Sequence, residues 1–123
     1  MTISAQVNRV ATIDGHLMTV SAKFRQLPEI REVREALENF TGVPQELGLP
    51  SAPKRPIHYI DAPDRPQPRL DRDRERGMAV SVGRLRHCPI LDVRFVALVH
   101  NTIRGAAGAA ILNAELLQAK GLL

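Results

Sequence analysis

The chain has 123 residues, 44% hydrophobic and 24% charged, which allows one domain with a modest core. Its net charge of +4 comes with no Trp, one Tyr and three Phe, so the basic residues lack a stacking platform and nucleic-acid binding is not expected of them. A single cysteine rules out an internal disulfide, no run of about eighteen apolar residues marks a membrane span, and MTISAQVNRV is not a secretory signal; a cytoplasmic protein is expected.

Residues 2–13 alternate, with Ile3, Ala5, Val7, Ala11 and Ile13 apolar and Thr2, Ser4, Gln6, Asn8 and Thr12 polar. A period of two predicts a half-buried strand. Arg9 sits on its apolar face. After Asp14-Gly15, a turn or bulge signal, the phase flips. Met18, Val20, Ala22 and Phe24 now form the apolar set, and His16 leads them. A two-residue hairpin would pair Ile13 with His16 and Arg9 with Val20, placing Arg9 and His16 on one face about 14 Å apart. A bulge in one continuing strand serves equally well, and both readings stay open. Such a pair of long side chains could hold a small molecule between them.

Pro28-Glu29 opens a helix with Ile30, Val33, Ala36, Leu37 and Phe40 on one face, ended by Gly42 and Pro44. Arg31, Glu32, Arg34, Glu35 and Glu38 make its solvated side. Seven of the nine prolines fall within residues 42–76, a connection long enough to be functional or to pack on a neighbour. Within it, residues 57–60 fit a short strand. Residues 65–76 alternate arginines with Asp71, Asp73 and Glu75, the pattern of a solvated loop. Residues 78–85 and 90–99 read as two strands separated by Arg86-His87-Cys88-Pro89.

The second of these strands stops at His100-Asn101-Thr102, where Asn101 or Thr102 is placed to cap a helix. Ile103, Ala107, Ala110, Ile111, Ala114 and Leu117 fall on one face of that helix. Ala106, Ala109, Leu112 and Leu116 widen the stripe, so burial on more than one side is expected. Its first turns are small, from Gly105 to Ala110. Small residues there serve either tight helix packing or close approach to a ligand at the helix N-terminus.

Among chemically capable residues, His16 and Arg9 stand out because each interrupts an apolar stripe. A hydrogen-bonded core histidine and an arginine paired with Asp14 are the plain alternatives. Cys88 is not expected to act as a nucleophile with His87, because neighbours on a strand point apart. His58 and His100 lack partners at metal-ligand spacing, and no metal is expected.

HNTIRGAAGAAILNAELL closely resembles the C-terminal segment of aspartate-semialdehyde dehydrogenases of the archaeal and fungal-like branch. The likeness extends back, in collinear order, through GMAVSVGRLRHCPILD, RPQPRLDRD and QELGLPSAPKRP to VNRVATIDGH. The resemblance implies an α/β (α+β) fold: a mixed, largely antiparallel sheet with helices packed on it. Residues 1–101 would be part of the catalytic and dimerisation domain, with the 42–76 loop inside it. Residues 102–123 would be a terminal helix that packs on a Rossmann domain missing from this chain. It further implies Arg9 on the substrate carboxylate, His16 as acid/base, and Asn101 and Gly105 beside an NADP cofactor. His16 departs from the family pattern in being followed by Leu17 and Met18 rather than a small hydroxyl residue and a glutamate.

The implied reaction is NADPH-dependent reductive dephosphorylation of L-4-aspartyl phosphate to the semialdehyde through a cysteine thioester. It belongs to lysine, threonine and methionine biosynthesis. The family's nucleophilic cysteine and glycine-rich nucleotide turn have no counterpart in this sequence, so the chain alone is expected to be inactive. In complete form a homodimer or homotetramer is implied, with neither nucleic acid nor membrane as partner. The alternatives are a related malonyl-CoA reductase and a non-catalytic dimerisation fragment.

Overall fold

The structure is a computed structural model describing residues 10–123. Its centre is a four-stranded mixed sheet in the order β1-β4-β3-β2. β1 (His16–Ala22) and β4 (Val93–Val99) are antiparallel, as are β4 and β3 (Val80–His87). β2 (Ile57–Ile60) runs parallel to β3. That parallel pair explains the long connections around it, since parallel neighbours cannot be joined by a tight turn. The expected mixed, largely antiparallel sheet is therefore what forms.

The first strand differs from expectation. The part of the expected 2–13 strand that falls on residues 1–9, Arg9 included, lies outside the described residues. Residues 10–13 carry no strand, and Ile13 is 90% exposed. His16 pairs with Val99 rather than Ile13, so the two-residue hairpin is not formed at that end. Among the described residues β1 finds its partners on β4 alone, seven consecutive pairs from His16↔Val99 to Ala22↔Val93, while residues 10–13 leave the extended ladder at the Asp14-Gly15 bend.

Helix α1 (Ile30–Glu38) starts where the Glu29 N–H donates to the Glu32 carboxylate at 2.9 Å. It ends where the Asn39 side-chain amide donates to the Glu35 carbonyl at 2.8 Å, so Phe40 falls beyond the helix and stays exposed. α1 packs on β2 and β3. Arg34, expected on the solvated side, stacks 4.6 Å from the Tyr59 ring centroid and donates to Glu38 and Asp61.

The 42–76 region is more structured than a solvated loop. It holds α2 (Val43–Glu46), β2, α3 (Pro68–Asp71) and a single turn at Arg74–Gly77. Asp71 is buried and binds Arg65 through both carboxylate oxygens, with Nε to Oδ2 at 2.6 Å. The Gln67 N–H and the Arg74 Nε also donate to it. Burial alone would raise this carboxyl; Arg65, the Gln67 amide and Arg74 outweigh it and hold the group below the usual range. Alternating charges in the sequence are thus partly an internal latch. The loop backbone also presses on β3: a Cβ at Gly83 would lie 2.6 Å from the Arg65 carbonyl oxygen and 2.9 Å from that of Ile60. Just beyond, the β3–β4 register shifts between Gly83 and Arg86, a bulge that puts Arg84 at φ +57°.

β3 extends through His87, past the predicted break at Arg86, and the Cys88 N–H then closes on the Asp92 carbonyl at 3.1 Å. After β4 the chain makes a π-helical turn, Ile103–Ala107, continuous with α4 (Gly108–Ala119). Neither Asn101 nor Thr102 caps it. The Ile103 N–H instead points to His100 Nδ1 at 3.4 Å. Leu112 packs with Leu49 and Met78, and Glu115 accepts from the Ser51 N–H and Oγ. Burial on more than one side is not found: Ile111 is 55% and Leu117 41% exposed, because nothing among the described residues covers those faces.

Candidate functional site

His16 opens β1 opposite Val99, two residues before Asn101, so pairing β1 with β4 brings both sequence candidates to one end of the sheet. The contact is direct at the backbone: the Gly15 N–H donates to Asn101 Oδ1 at 2.8 Å. On the other side of the same turn, Arg72 Nη1 donates to the Asp14 carbonyl at 3.2 Å. Gly15 has φ +114°, a conformation open to glycine, and an added Cβ would come within 3.2 Å of Leu98 and 3.3 Å of Pro68. The Asp14-Gly15 turn signal is therefore a tightly seated bend leading into β1.

The His16 side chain is exposed, not turned into a core as the apolar stripe implied. Met18 on the same face of β1 is 40% exposed. Among the described residues this end of the sheet is an open surface, and His16 is free to meet a group from outside them. Arg9 lies outside the described residues.

Behind the turn, His100 is buried, with Nδ1 3.2 Å from Thr102 Oγ1 and Nε2 3.7 Å from Asp73 Oδ1. Asp73 Oδ2 lies 3.6 Å from Arg72 Nε. His100, Asp73 and Arg72 thus form a polar row linking the start of the terminal helix to the turn before His16. Arg72 is the member that sequence reasoning missed. It lies in the RPQPRLDRD stretch, but nothing local separates it from the arginines at 69 and 74.

Gly105 is exposed, its N–H donating to the His100 carbonyl at 3.0 Å. An added Cβ there would meet only that carbonyl oxygen, at 3.6 Å. The close approach in this helix is at Gly108, where a Cβ would lie 2.4 Å from Met78 Sδ. Cys88 lies in the β3–β4 turn, apart from the Gly15–Asn101 contact. The Leu91 and Ile90 amides lower its thiol pKa, and Leu91 N–H is 3.4 Å from Sγ. His58 on β2 is held below the usual imidazole range by burial first, then by Arg55 and Arg74, against Glu75 at 3.5 Å. Among the described residues no three His, Cys, Asp or Glu side chains converge as a metal site, and no helix is long and apolar enough to cross a membrane.

Residues 1–104 match the family profile described as semialdehyde dehydrogenase, dimerisation domain. The chain belongs to this family. Its relatives include the aspartate-semialdehyde dehydrogenase of Schizosaccharomyces pombe, 58% identical over 98% of this chain and 35% of that protein. They also include the malonyl CoA reductase (NADP) of Metallosphaera sedula, 44% identical over 100% of this chain and 35% of that protein. Among solved structures, aspartate semialdehyde dehydrogenase with NADP from Candida albicans superimposes with a TM-score of 0.83 at 50% identity. That match covers 90% of this chain and 32% of that one. The chain thus spans about a third of the length of the curated relatives it matches.

Proposed function

We propose that this chain serves as the C-terminal, dimer-forming part of an NADP-dependent aspartate-semialdehyde dehydrogenase. The overall reaction is reductive dephosphorylation of L-4-aspartyl phosphate to L-aspartate 4-semialdehyde, through a thioester on a cysteine contributed from outside this chain. The observation that carries the reading is the Gly15 N–H to Asn101 Oδ1 bond. It ties the residue before the acid/base candidate, His16, to the cofactor candidate Asn101 at one end of the sheet.

In this reading Arg9 holds the substrate carboxylate by two parallel charge-assisted hydrogen bonds, which set orientation as well as charge. His16, exposed at the head of β1, takes the thiol proton and later moves a proton at the reacting oxygen. Asn101 spends its oxygen on Gly15 and keeps its amide N–H groups for a ligand, while the adjoining Gly105-Ala106-Ala107 segment is exposed. Polar donors beside a small, open backbone fit the carboxamide end of a nicotinamide, so Asn101 and Gly105 would hold that edge of NADP. The cofactor, when bound, supplies the hydride. The uncovered faces of α4 at Ile111 and Leu117 belong to the interface of residues 102–123 with the nucleotide-binding domain. The complete enzyme is a cytoplasmic homodimer or homotetramer of amino-acid biosynthesis. The Metallosphaera relative favours a second reading, reduction of malonyl-CoA on the same scaffold.

The test is a hybrid enzyme in which this chain replaces the matching third of the Schizosaccharomyces relative. NADPH oxidation with aspartyl phosphate, lost by on the order of 10² to 10⁴ in kcat on His16→Ala, supports the proposal. Turnover of malonyl-CoA in preference selects the second reading. A folded hybrid inactive on both leaves a non-catalytic dimerisation fragment. His16→Ala within about threefold of the parent overturns the acid/base role.

A further inference from the structure

We infer that Arg72 is a positioning residue for His16: its guanidinium fixes the Asp14-Gly15 turn from which the His16 strand starts. The inference rests on the reading of His16 given above. His16 is exposed and heads an outer strand of the described sheet, so packing does not set its orientation. What sets it is the backbone, and the residue just before it is a glycine at φ +114°, the most permissive kind of hinge. Two hydrogen bonds close that hinge from opposite sides. Arg72 Nη1 donates to the Asp14 carbonyl at 3.2 Å, and the Gly15 N–H donates to Asn101 Oδ1 at 2.8 Å. Being charged, the arginine makes the stronger kind of bond to a neutral carbonyl.

Arg72 is itself held in place. It follows directly on Asp71, whose buried carboxylate is latched by Arg65 and Arg74. Its Nε is buried and makes no hydrogen bond, lying 3.6 Å from Asp73 Oδ2. The Asp14 carbonyl is the hydrogen-bond acceptor found for this side chain. Its stem also lies against the turn: a Cβ on Gly15 would be 3.8 Å from Arg72 Cβ. An arginine brought by a rigid segment to one carbonyl, next to a glycine hinge, orients whatever follows the hinge.

The test compares Arg72→Met, which keeps length and loses the donor, with Arg72→Lys, which keeps a charged donor able to reach one carbonyl. In the chain as it stands, amide hydrogen exchange at Gly15 should quicken by about tenfold in Arg72→Met, the scale of one net hydrogen bond. Exchange at the core amides of Val82 and Leu98 should not change, and Arg72→Lys should restore Gly15. In the hybrid enzyme, Arg72→Met should lower kcat by about ten- to a hundredfold with KM nearly constant, the mark of a misplaced catalytic group. Unchanged Gly15 exchange, or equal acceleration at Val82 and Leu98, overturns the inference. So does a hybrid in which His16→Ala is severe but Arg72→Met is harmless. If Gly15 responds as expected while His16→Ala leaves kcat intact, Arg72 still positions the turn, and it is the acid/base reading that fails.

Discussion

The Gly15 backbone N–H and the Asn101 side-chain oxygen meet at 2.8 Å across 86 residues of chain. This bond ties the entry of β1 to the exit of β4, and the candidate site is built around it. Removing the acceptor leaves the half-buried Gly15 donor without a partner. Asn101→Ala should therefore destabilise the fold by about 1–3 kcal/mol, and Asn101→Asp, which keeps an acceptor, by less. Urea unfolding of the two variants against the parent checks this; equal losses would show that the bond carries no stability.

Asp71 makes stability depend on acid. Its folded pKa lies below that of an ordinary carboxylate, so its contribution is complete above about pH 4. It is lost as the pH falls toward the folded value, where the proton is finally taken up. Asp71→Asn should flatten that acid limb of a Tm-against-pH curve. Asp71→Ala, which takes the shared acceptor from Arg65, Arg74 and the Gln67 amide, should cost about 1–3 kcal/mol at neutral pH, the arginines being partly open to water.

His58 acts in a higher range and by the opposite group. Burial, reinforced by Arg55 and Arg74, lowers its folded pKa, so the unfolded chain takes up a proton first as pH falls. Stability should be full above about pH 6.5 and decline below it, levelling once the folded form is protonated too. Chemical denaturation at about pH 5 and about pH 7.5 should show a smaller difference in His58→Gln than in the parent. An unchanged difference would assign the slope to other groups.

The two glycines at the start of the terminal helix should behave in opposite ways. Gly108→Ala drives a methyl to 2.4 Å from Met78 Sδ and 3.0 Å from the Ile103 carbonyl oxygen. It should cost about 1–3 kcal/mol through overpacking. Gly105→Ala meets only the His100 carbonyl, at 3.6 Å, and should be neutral or stabilising by up to about 1 kcal/mol in this chain. Thermal unfolding of both variants decides it. In the hybrid enzyme, a loss of NADP affinity with Gly105→Ala would support the cofactor role proposed for that position.

Much was determined by local sequence alone. The period of the apolar residues located β1, α1, β3, β4 and the terminal helix, because burying one face imposes a spacing of two or of three to four. Collinear motifs named the family. Local signals also marked Asp14-Gly15 as a turn, since few residues but glycine adopt its φ of +114°. Only the tertiary structure decided what each segment met. The described partners of β1 lie on β4, more than seventy residues away, because ladder partners are set by long-range register. Asn101 turns away from the helix it was placed to cap, because Gly15 arrives from 86 residues away with an unpaired N–H. The charged stretch around Asp71 reads as solvated in one dimension. Packing of the long connection against β3 buries one carboxylate between two arginines and sends the next residue, Arg72, to the Asp14 carbonyl. Alternating charges cannot say which of them leaves water, since that depends on which surface the connection covers.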